Sequence, residues 1–322
     1  MKSSPLAADR TEQDDRAEFR AAVLDGLAGS PRSIPAKFLY DARGSALFDA
    51  ICELPEYYLT RTETGILRRC VADIAAVAGP GRALVEFGSG SSVKSRLLID
   101  ALEHLAAYVP IDISRQHLEA TATRLRRDYP GLVVEPVCAD YMALARLSVD
   151  VGAARRLGFF PGSTIGNSEP QDATAFLRRA RELLGEGGAL VLGADLKKAP
   201  QRLHDAYNDA AGVTAQFTLN LLRRMNRELD ANFDLSAFAH DASYSEVESR
   251  IEIYFRSLRQ QTVTVAGRSF AFRAGDRVLT EYSYKYDDAS LSVMARSAGF
   301  RIARIWTDPA RDFAVAYLEV GT

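Results

Sequence analysis

The stretch Ala83-Leu84-Val85-Glu86-Phe87-Gly88-Ser89-Gly90-Ser91-Ser92 decides the fold, because an apolar run typical of a buried strand ends here in a glycine-rich turn. Gly88 and Gly90 lack the Cβ atoms that would keep a ligand away from the backbone. Helical apolar spacing follows over residues 91–101, so the first backbone N–H groups of that helix face the same ligand. The pattern predicts a strand, a turn and a helix, with a small-molecule site at the turn.

The acidic residue before the glycines, Glu86, indicates the kind of ligand. A phosphate-binding loop carries lysine or bare backbone near its anion, and the pattern GxxxxGK[ST] is absent from the chain. A carboxylate instead suits a cationic or hydroxyl-bearing ligand. S-adenosylmethionine has both features, since it carries an ammonium, a sulfonium and ribose hydroxyls. From these residues alone, a turn that serves only strand-to-helix geometry stays open as the alternative.

Composition limits the class of protein. A chain of 322 residues with 47% hydrophobic and 25% charged content can form one large or two modest globular domains. A net charge of −2 gives no field for gathering nucleic acid or anionic membranes, which favours a small neutral or zwitterionic substrate. The N-terminus is polar, and no apolar run approaches the roughly 18 residues of a membrane span. We expect a cytoplasmic monomer without nucleic-acid or membrane partners.

The cysteines and histidines predict neither disulfides nor a metal site. Cys52, Cys70 and Cys138 have the spacing of neither a disulfide framework nor a metal-ligand motif, and the four histidines form no HxxxH pair. We therefore expect reduced thiols and no metal ion.

Strand and helix patterns alternate after the glycine turn, which is typical of an α/β fold with a doubly wound sheet. A pair of strands near the C-terminus is joined by Asp308–Asp312 and reads as a hairpin. Seven strands that end in an antiparallel hairpin match, by analogy, the sheet of class I methyltransferases. The predicted strands after the first are Tyr108–Asp112, Leu132–Cys138, Arg156–Phe160, Gly188–Leu196, Arg301–Trp306 and Phe313–Glu319, and the helices between them include Thr62–Ala78, Ser114–Tyr129 and Gln171–Leu184.

Polar residues follow four consecutive strands of this sheet, namely Glu86, Asp112, Asp140 and Asn167. Ligands of doubly wound sheets bind beyond the carboxyl ends of the strands, and a ribose-binding carboxylate is expected about 20 residues after the glycine turn, where Asp112 stands. Any one of these residues could be a turn former, but four in a row favour a ligand site. A dehydrogenase is disfavoured because the turn lacks the third glycine of GxGxxG.

A long mixed segment interrupts the alternation over Lys197–Phe272, and with the N-terminal segment it reads as a mixed α/β substrate-binding subdomain. The strand-like run Leu279–Tyr286 follows. Its period-two alternation puts Glu281 and Ser283 on one face, opposite Tyr282 and Tyr284. An acceptor and a hydroxyl on one face can grip a polar ring, although a solvated strand face is the alternative.

Six long motifs identify a family. They are KFLYDARGSALFDAICELPEYYLTRTE, VEFGSGSSVKSR, FFPGSTIGN, YNDAAGVTAQFTLN, RIEIYFRS and LTEYSYKY. In this order they cover nearly the whole chain, and the sequence resembles the histidine Nα-methyltransferases of ergothioneine biosynthesis. The resemblance implies transfer of methyl groups from S-adenosylmethionine to the α-amine of L-histidine, up to trimethylhistidine (hercynine).

The resemblance also implies the roles of individual residues. Glu281 and Ser283 are expected to bind the imidazole, with Ile253 beside it, and Tyr57, Asn167 and Tyr207 to hold the amino-acid end of the substrate. Gly162 is a further expected substrate-binding residue. Tyr40, Tyr57 and Asn167 are the candidates for the catalytic step, and the acceptor of the amine proton is left open between a tyrosine, Glu281 through water, and solvent. The residues expected around S-adenosylmethionine are Tyr40, Glu86, Gly88, Gly90, Lys94, Asp112, Asp140 and Tyr141.

The chain departs from the family pattern at Ile253, where many members carry methionine, and at Ser245, where asparagine is common. Isoleucine is β-branched and stiffer than the flexible thioether of methionine, so this exchange beside the substrate ring affects which aromatic ring fits. Methylation of another aromatic amino acid such as tryptophan is therefore one alternative. A catalytically idle S-adenosylmethionine-binding regulator is another.

The expected domain organisation has four parts. Residues 1–60 contribute to the substrate subdomain, residues 61–196 form the S-adenosylmethionine-binding core, residues 197–286 form the substrate-binding subdomain, and residues 287–322 complete the core sheet.

Overall fold

The structure is a computed structural model that describes residues 12–89, 93–147, 149 and 151–321. The chain divides into two compact units. Unit 1 combines Met1–Tyr58 with Lys198–Tyr284, and unit 2 combines Leu59–Lys197 with Lys285–Thr322. The chain therefore leaves and re-enters unit 2 around a long insertion. The functions of the four predicted segments stay a prediction.

Unit 2 contains a seven-stranded sheet and the helices that follow its strands. Six of the strands run in one direction, and one, β12 (Phe313–Val320), runs against them, because it pairs antiparallel with both β5 (Ala189–Asp195) and β11 (Phe300–Thr307). The strands lie in the order β11-β12-β5-β4-β1-β2-β3. These strands are β1 Ala83–Phe87, β2 Ala107–Asp112, β3 Val137–Cys138, β4 Arg156–Phe160, β5 Ala189–Asp195, β11 Phe300–Thr307 and β12 Phe313–Val320, and the helices are α3 Tyr58–Ala78, α4 Val93–Ala101, α5 Arg115–Asp128, α6 Pro170–Leu184 and α9 Asp288–Ser297.

This strand order confirms the predicted class I methyltransferase sheet with its terminal hairpin. The strand β1 is buried along its whole length, as its apolar run predicts. The strand β5, on the other side of β4, is equally buried, since helices cover both faces of such sheets. The carboxyl ends of β1 and β4 therefore lie side by side, at the edge where the predicted strand-end residues follow.

The third strand is shorter than predicted. The sequence pattern predicts a strand over Leu132–Cys138, whereas only Val137–Cys138 forms one. Val134 makes an isolated bridge to Tyr108 two residues before Pro136. Proline has no backbone N–H to donate to a ladder, so the pairing breaks there and resumes one residue later.

Unit 1 contains two small antiparallel sheets with helices. One sheet has the order β10-β7-β6, and the other is the β8-β9 hairpin. The elements are α1 Glu12–Ala28, α2 Ala42–Cys52, α7 Pro200–Tyr207, α8 Val213–Glu228, β6 Phe238–Ser245, β7 Arg250–Ser257, β8 Gln261–Val265, β9 Arg268–Phe272 and β10 Arg277–Tyr284. Among the residues that the structure describes, none of the helices combines the length and the apolar character that a membrane crossing requires.

Candidate functional site

The carboxyl edge of the sheet in unit 2 gathers most of the predicted cofactor residues. Gly88 follows β1 with a φ of +75°, a conformation that glycine adopts without strain. A Cβ built on Gly88 would lie 3.5 Å from the Tyr141 ring, so the turn and this ring are neighbours. Asp112 ends β2, and its Oδ1 accepts the Ser114 amide at 2.9 Å. Asp140 is placed alike, since its Oδ1 accepts the Met142 amide at 2.9 Å.

In both Asp112 and Asp140 it is the Oδ1 atom that makes this short turn with the amide two residues later. Tyr141 follows Asp140 in the chain, and its ring packs edge-on against Phe160 with the centroids 5.5 Å apart. Burial raises the pKa of the Tyr141 phenol, and the charges of Asp140 and Asp112 raise it further. The phenol is therefore protonated at neutral pH and acts as a hydrogen-bond donor. Gly90, a further predicted cofactor residue, lies outside the described residues.

The Glu86 side chain is more deeply buried than expected for a residue that contacts a ligand. Its side chain is buried, and Oε2 accepts a hydrogen bond from Ser95 Oγ at 2.5 Å and another from the Tyr108 hydroxyl. Burial raises the pKa of this carboxyl to about 7, against the opposing effect of the two hydroxyl donors. Its direct contact with a cofactor stays a prediction, while its contacts within the protein join β1 to α4 and to β2.

Lys94, on α4, is held by a carboxylate that the sequence analysis missed. Glu63 on α3 contacts the Lys94 ammonium at 2.5 Å and accepts the Gly162 amide, with N···O distances of 2.9 and 3.0 Å. The Glu63 side chain is 1% exposed and that of Lys94 is 19% exposed. The signal was present in the sequence, since Glu63 is the last residue of the motif that ends in TRTE.

The loop after β4 carries the predicted substrate residues Gly162 and Asn167, the latter at the end of a 3₁₀ helix over Thr164–Asn167. Ser163 has a φ of +57° and its Oγ accepts the Asp195 amide at 2.8 Å, which fixes the loop to the end of β5. Asn167 is half-buried. Its primary amide can both donate and accept hydrogen bonds, as a zwitterionic amino acid requires.

Unit 1 brings together five other predicted site residues, Tyr40, Tyr57, Tyr207, Glu281 and Ser283. Tyr57 and Tyr207 meet edge-to-face with ring centroids 6.1 Å apart, and the Tyr207 hydroxyl and Ser283 Oγ form a buried hydrogen bond of 2.8 Å. Burial raises the pKa of Tyr57 well above its usual value, and the neighbouring Tyr207, Cys52, Tyr40 and Glu281 raise it further. The Tyr57 hydroxyl therefore keeps its proton at neutral pH and can donate a hydrogen bond, and Glu281 lies within its electrostatic reach.

The strand β10 presents Glu281 and Ser283 in the alternation that the sequence pattern predicts. In the ladder with β7, Glu281 is opposite Ile253 and Ser283 is opposite Ile251. Tyr282 and Tyr284 are neighbours on the strand, with ring centroids 5.9 Å apart. The Arg250 guanidinium lies 3.8 Å from the centroid of the Tyr282 ring, where a cation is attracted to the aromatic face.

Tyr40 and His240 complete the described surroundings of Tyr207 and Tyr57. Tyr40 packs edge-on against Phe217 with ring centroids 5.3 Å apart. His240, which the sequence analysis missed, donates from Nε2 to the Tyr207 carbonyl at 2.9 Å, because a carbonyl oxygen only accepts, and its Nδ1 lies 2.9 Å from Thr218 Oγ1. Burial lowers the pKa of this histidine, which favours the neutral ring with its proton on Nε2.

Metal ligation is not indicated within the described part of the chain. There, no cluster of three or more histidine, cysteine, aspartate or glutamate side chains has a geometry that could hold a metal ion. Cys52, Cys70 and Cys138, all within the described residues, are not joined by disulfide bonds.

The chain is similar to proteins of one family over almost its whole length. The family model of histidine-specific, S-adenosylmethionine-dependent methyltransferases matches residues 19–320. A histidine N-alpha-methyltransferase of Mycolicibacterium smegmatis is 44% identical over 316 residues, which cover 97% of this chain and 96% of that protein. An ergothioneine biosynthesis protein 1 of Neurospora crassa is 29% identical over 286 residues, which cover 86% of this chain and 32% of that protein.

A solved structure shares the fold. A possible exported protein from Bordetella parapertussis superposes with a TM-score of 0.51 at 16% identity, covering 99% of this chain and 100% of that one. At this identity the likeness concerns the fold alone.

Proposed function

Because the chain belongs to the family of histidine-specific, S-adenosylmethionine-dependent methyltransferases, we propose that it methylates the α-amine of L-histidine, up to the trimethylated betaine hercynine. The observation that carries the proposal is the match over residues 19–320, which includes the residues expected to hold both reactants. A role in ergothioneine biosynthesis belongs to the same proposal, supported by the similarity to the Neurospora protein.

The residues at the sheet edge of unit 2 fit S-adenosylmethionine, which supplies an activated sulfonium methyl when bound. Asp112 and Asp140 offer carboxylate oxygens to hydroxyl and amino donors, as a ribose and an adenine require. Lys94 offers a positive charge to a carboxylate, and the turn at Gly88 offers backbone without a Cβ. Asp112 is assigned to the ribose and Asp140 to the adenine.

The substrate ring is assigned to Glu281 and Ser283 of unit 1. An imidazole has one N–H donor and one acceptor nitrogen, and a carboxylate with a hydroxyl can satisfy both in a single tautomer. Ser283 is already oriented by the Tyr207 hydroxyl at 2.8 Å. Ile253, opposite Glu281 in the ladder, supplies an apolar side chain beside them.

The main tasks of the protein in this reaction are to align the two reactants and to exclude water. The attacking α-amine must be neutral and in line with the sulfonium methyl, and holding it there lowers the barrier by an entropic effect. The raised pKa of Tyr57 makes this phenol a hydrogen-bond donor that positions the substrate, which argues against its taking the amine proton. Glu281 through water, or solvent, is the better acceptor. Tyr40 and Asn167 keep their predicted roles at the reacting end of the substrate.

Methylation of another aromatic amino acid is the alternative, because Ile253 is buried opposite Glu281 and its shape bears on the size of ring that fits. The substrate is in either case a small molecule. Monomeric state, a cytoplasmic compartment and the absence of nucleic-acid partners are part of the proposal, and size-exclusion chromatography with light scattering tests the first.

The experiment offers histidine, tryptophan and tyrosine in parallel, each with S-adenosylmethionine, and follows release of S-adenosylhomocysteine. Mass spectrometry of the amino acid then counts the methyl groups added. We expect histidine-dependent release and a product with three added methyl groups. Release with tryptophan at equal or higher kcat/KM would replace histidine as the substrate, and binding of cofactor without release for any amino acid would identify an idle binder.

A further inference from the structure

Glu63 is a buried carboxylate to which neither the sequence motifs nor the proposed chemistry assigns a role. It lies on α3, while its two partners lie on other elements of unit 2: Lys94 on α4 and Gly162 in the loop after β4. One oxygen, Oε2, serves both partners, at 2.5 Å from the ammonium and 2.9 Å from the amide nitrogen. The carboxylate thus connects a predicted cofactor residue to a predicted substrate residue.

The sheet makes room for this carboxylate. Gly193 lies in the middle of the fully buried strand β5, and a Cβ built there would lie 2.0 Å from Glu63 Oε1. Any other residue at position 193 would therefore collide with the carboxylate. A glycine inside a strand costs backbone entropy and packing, so its presence is explained by the close approach of the Glu63 side chain.

Stability alone does not explain the arrangement. A buried ion pair is weak evidence for stability, because the cost of removing both charges from water offsets their attraction. The Lys94 side chain keeps 19% of its surface exposed, and its four-carbon stem gives the ammonium many other positions. The ion pair instead holds the Lys94 ammonium in one position beside the loop that carries Gly162.

We propose that Glu63 is a positioning residue for the cofactor. It holds the Lys94 ammonium and the Gly162 amide in place, so that Lys94 meets the carboxylate of the methionine part of S-adenosylmethionine without reorganisation. The inference rests on the proposed function, in which Lys94 belongs to the cofactor site.

Glu63 has two opposing effects on the affinity for the cofactor. Its negative charge repels the cofactor carboxylate, whereas its ion pair pre-orders the lysine that attracts that carboxylate. With a contact of 2.5 Å, the two charges compensate each other to a similar degree, so what distinguishes the pair from a mobile lysine is the ordering of the ammonium, and we take this effect to be the larger. Removing the charge of Glu63 should therefore weaken cofactor binding.

The test uses the full chain with Glu63→Gln, Lys94→Met and the double variant. Glutamine keeps the size and an oxygen for the Gly162 amide but loses the ion pair. Asp73→Asn is the matched control, since Asp73 lies on the same helix and is exposed. Calorimetry gives the Kd of S-adenosylmethionine, and thermal unfolding gives the stability of each variant.

We expect Glu63→Gln to raise the Kd about tenfold and Asp73→Asn to leave it unchanged. Lys94→Met should raise the Kd at least as much and lower the Tm, because it leaves Glu63 buried without its cation. The double variant should bind S-adenosylmethionine no more weakly than Lys94→Met does, because Glu63 acts through Lys94 and has no further effect once Lys94 is replaced. It should also recover most of the Tm that Lys94→Met loses, because Glu63 is then replaced by an uncharged residue as well. A merely structural role of Glu63 would not produce this coupling.

Unchanged or tighter binding in Glu63→Gln would overturn the inference while leaving the cofactor site intact, provided that Lys94→Met binds weakly. Unchanged binding in Lys94→Met would overturn the assignment of Lys94 and the inference with it. Histidine-dependent release of S-adenosylhomocysteine by the unchanged protein is measured separately, so a failure of the proposed function is distinguished from both.

Discussion

Loss of the cation from the buried pair Lys285–Asp195 should be among the most destabilising single substitutions in unit 2. The Lys285 Nζ atom lies 2.7 Å from Asp195 Oδ2, and both side chains are 0% exposed. Asp195 also joins other elements through its backbone, since its amide donates to Ser163 Oγ and its carbonyl accepts the Tyr286 amide. Lys285→Met keeps the length of the side chain, removes the charge and leaves the Asp195 carboxylate without its cation.

The expected loss follows from burial. Removing one partner of a fully buried pair costs about 3–5 kcal/mol, because the other charge stays in a site of low dielectric. The pair Arg311–Asp288 has a similar contact of 2.9 Å, but its side chains are 58% and 62% exposed. Such exposed pairs contribute about 0–1 kcal/mol, so Arg311→Met is the matched control. The difference is large against a total stability of about 5–15 kcal/mol.

Urea unfolding followed by tryptophan fluorescence measures the change where it occurs, because Trp306, the one tryptophan of the chain, lies on β11 of unit 2. The double variant Lys285→Met with Asp195→Leu should recover most of the loss, since it leaves no buried charge. If Lys285→Met costs no more free energy of unfolding than Arg311→Met, the reasoning from burial is wrong.

Four further predictions follow from the site. Asp112→Ala should weaken binding of S-adenosylmethionine by about 1–3 kcal/mol in calorimetry, and an unchanged Kd would remove Asp112 from the cofactor site. Asn167→Ala should raise the KM for histidine with cofactor binding unchanged; an unaltered KM would leave Asn167 a turn residue. Glu281→Ala should lower kcat/KM for histidine by roughly tenfold to a hundredfold and narrow its ratio to tryptophan, and a constant ratio would show that Glu281 does not read the ring. The pKa of Glu86 is raised from 4.5 to about 7, so its stabilising contribution is complete below pH 4.5 and is lost as the pH rises through about 7. Chemical unfolding of the unchanged protein should therefore show a loss of unfolding free energy on the order of 3 kcal/mol between about pH 4.5 and 8, and Glu86→Gln should abolish this loss. The same pH dependence in both proteins would contradict the prediction.

The sequence predicts the sheet of unit 2 well because its strands are short apolar runs with turn residues between them. The strand Arg156–Phe160 has the predicted bounds, and the hairpin of β11 and β12 pairs as expected. The pattern is less informative where both faces of a strand are polar. β6 contains His240 and Asp241 and has only two buried residues, so its alternation does not show in the sequence, and its pairing with β7 makes it a strand.

The candidate site shows the same limit. Residues that end strands are visible in the sequence, because a polar residue after an apolar run stands out, as Asp112 does. Glu63 and His240 do not stand out, since each is one polar residue within a helix or strand of mixed pattern. Their importance comes from partners distant in the chain, Gly162 for Glu63 and the Tyr207 carbonyl for His240. The spacing of residues within one helix or strand does not reveal such pairs.

Glu86 illustrates why a correct prediction can rest on an incomplete reason. The cofactor predicted from the acid before the glycines is confirmed, since the family is S-adenosylmethionine-dependent. Yet the Glu86 carboxylate accepts hydrogen bonds from Ser95 and Tyr108 inside the protein. An apolar residue there would remove the acceptor of both hydrogen bonds, at a cost of about 1–3 kcal/mol for each buried donor that is not satisfied elsewhere. The fold around the turn therefore needs an acceptor at this position whatever ligand binds, and the place of the turn at the carboxyl edge of the sheet, more than the charge of Glu86, indicates the site.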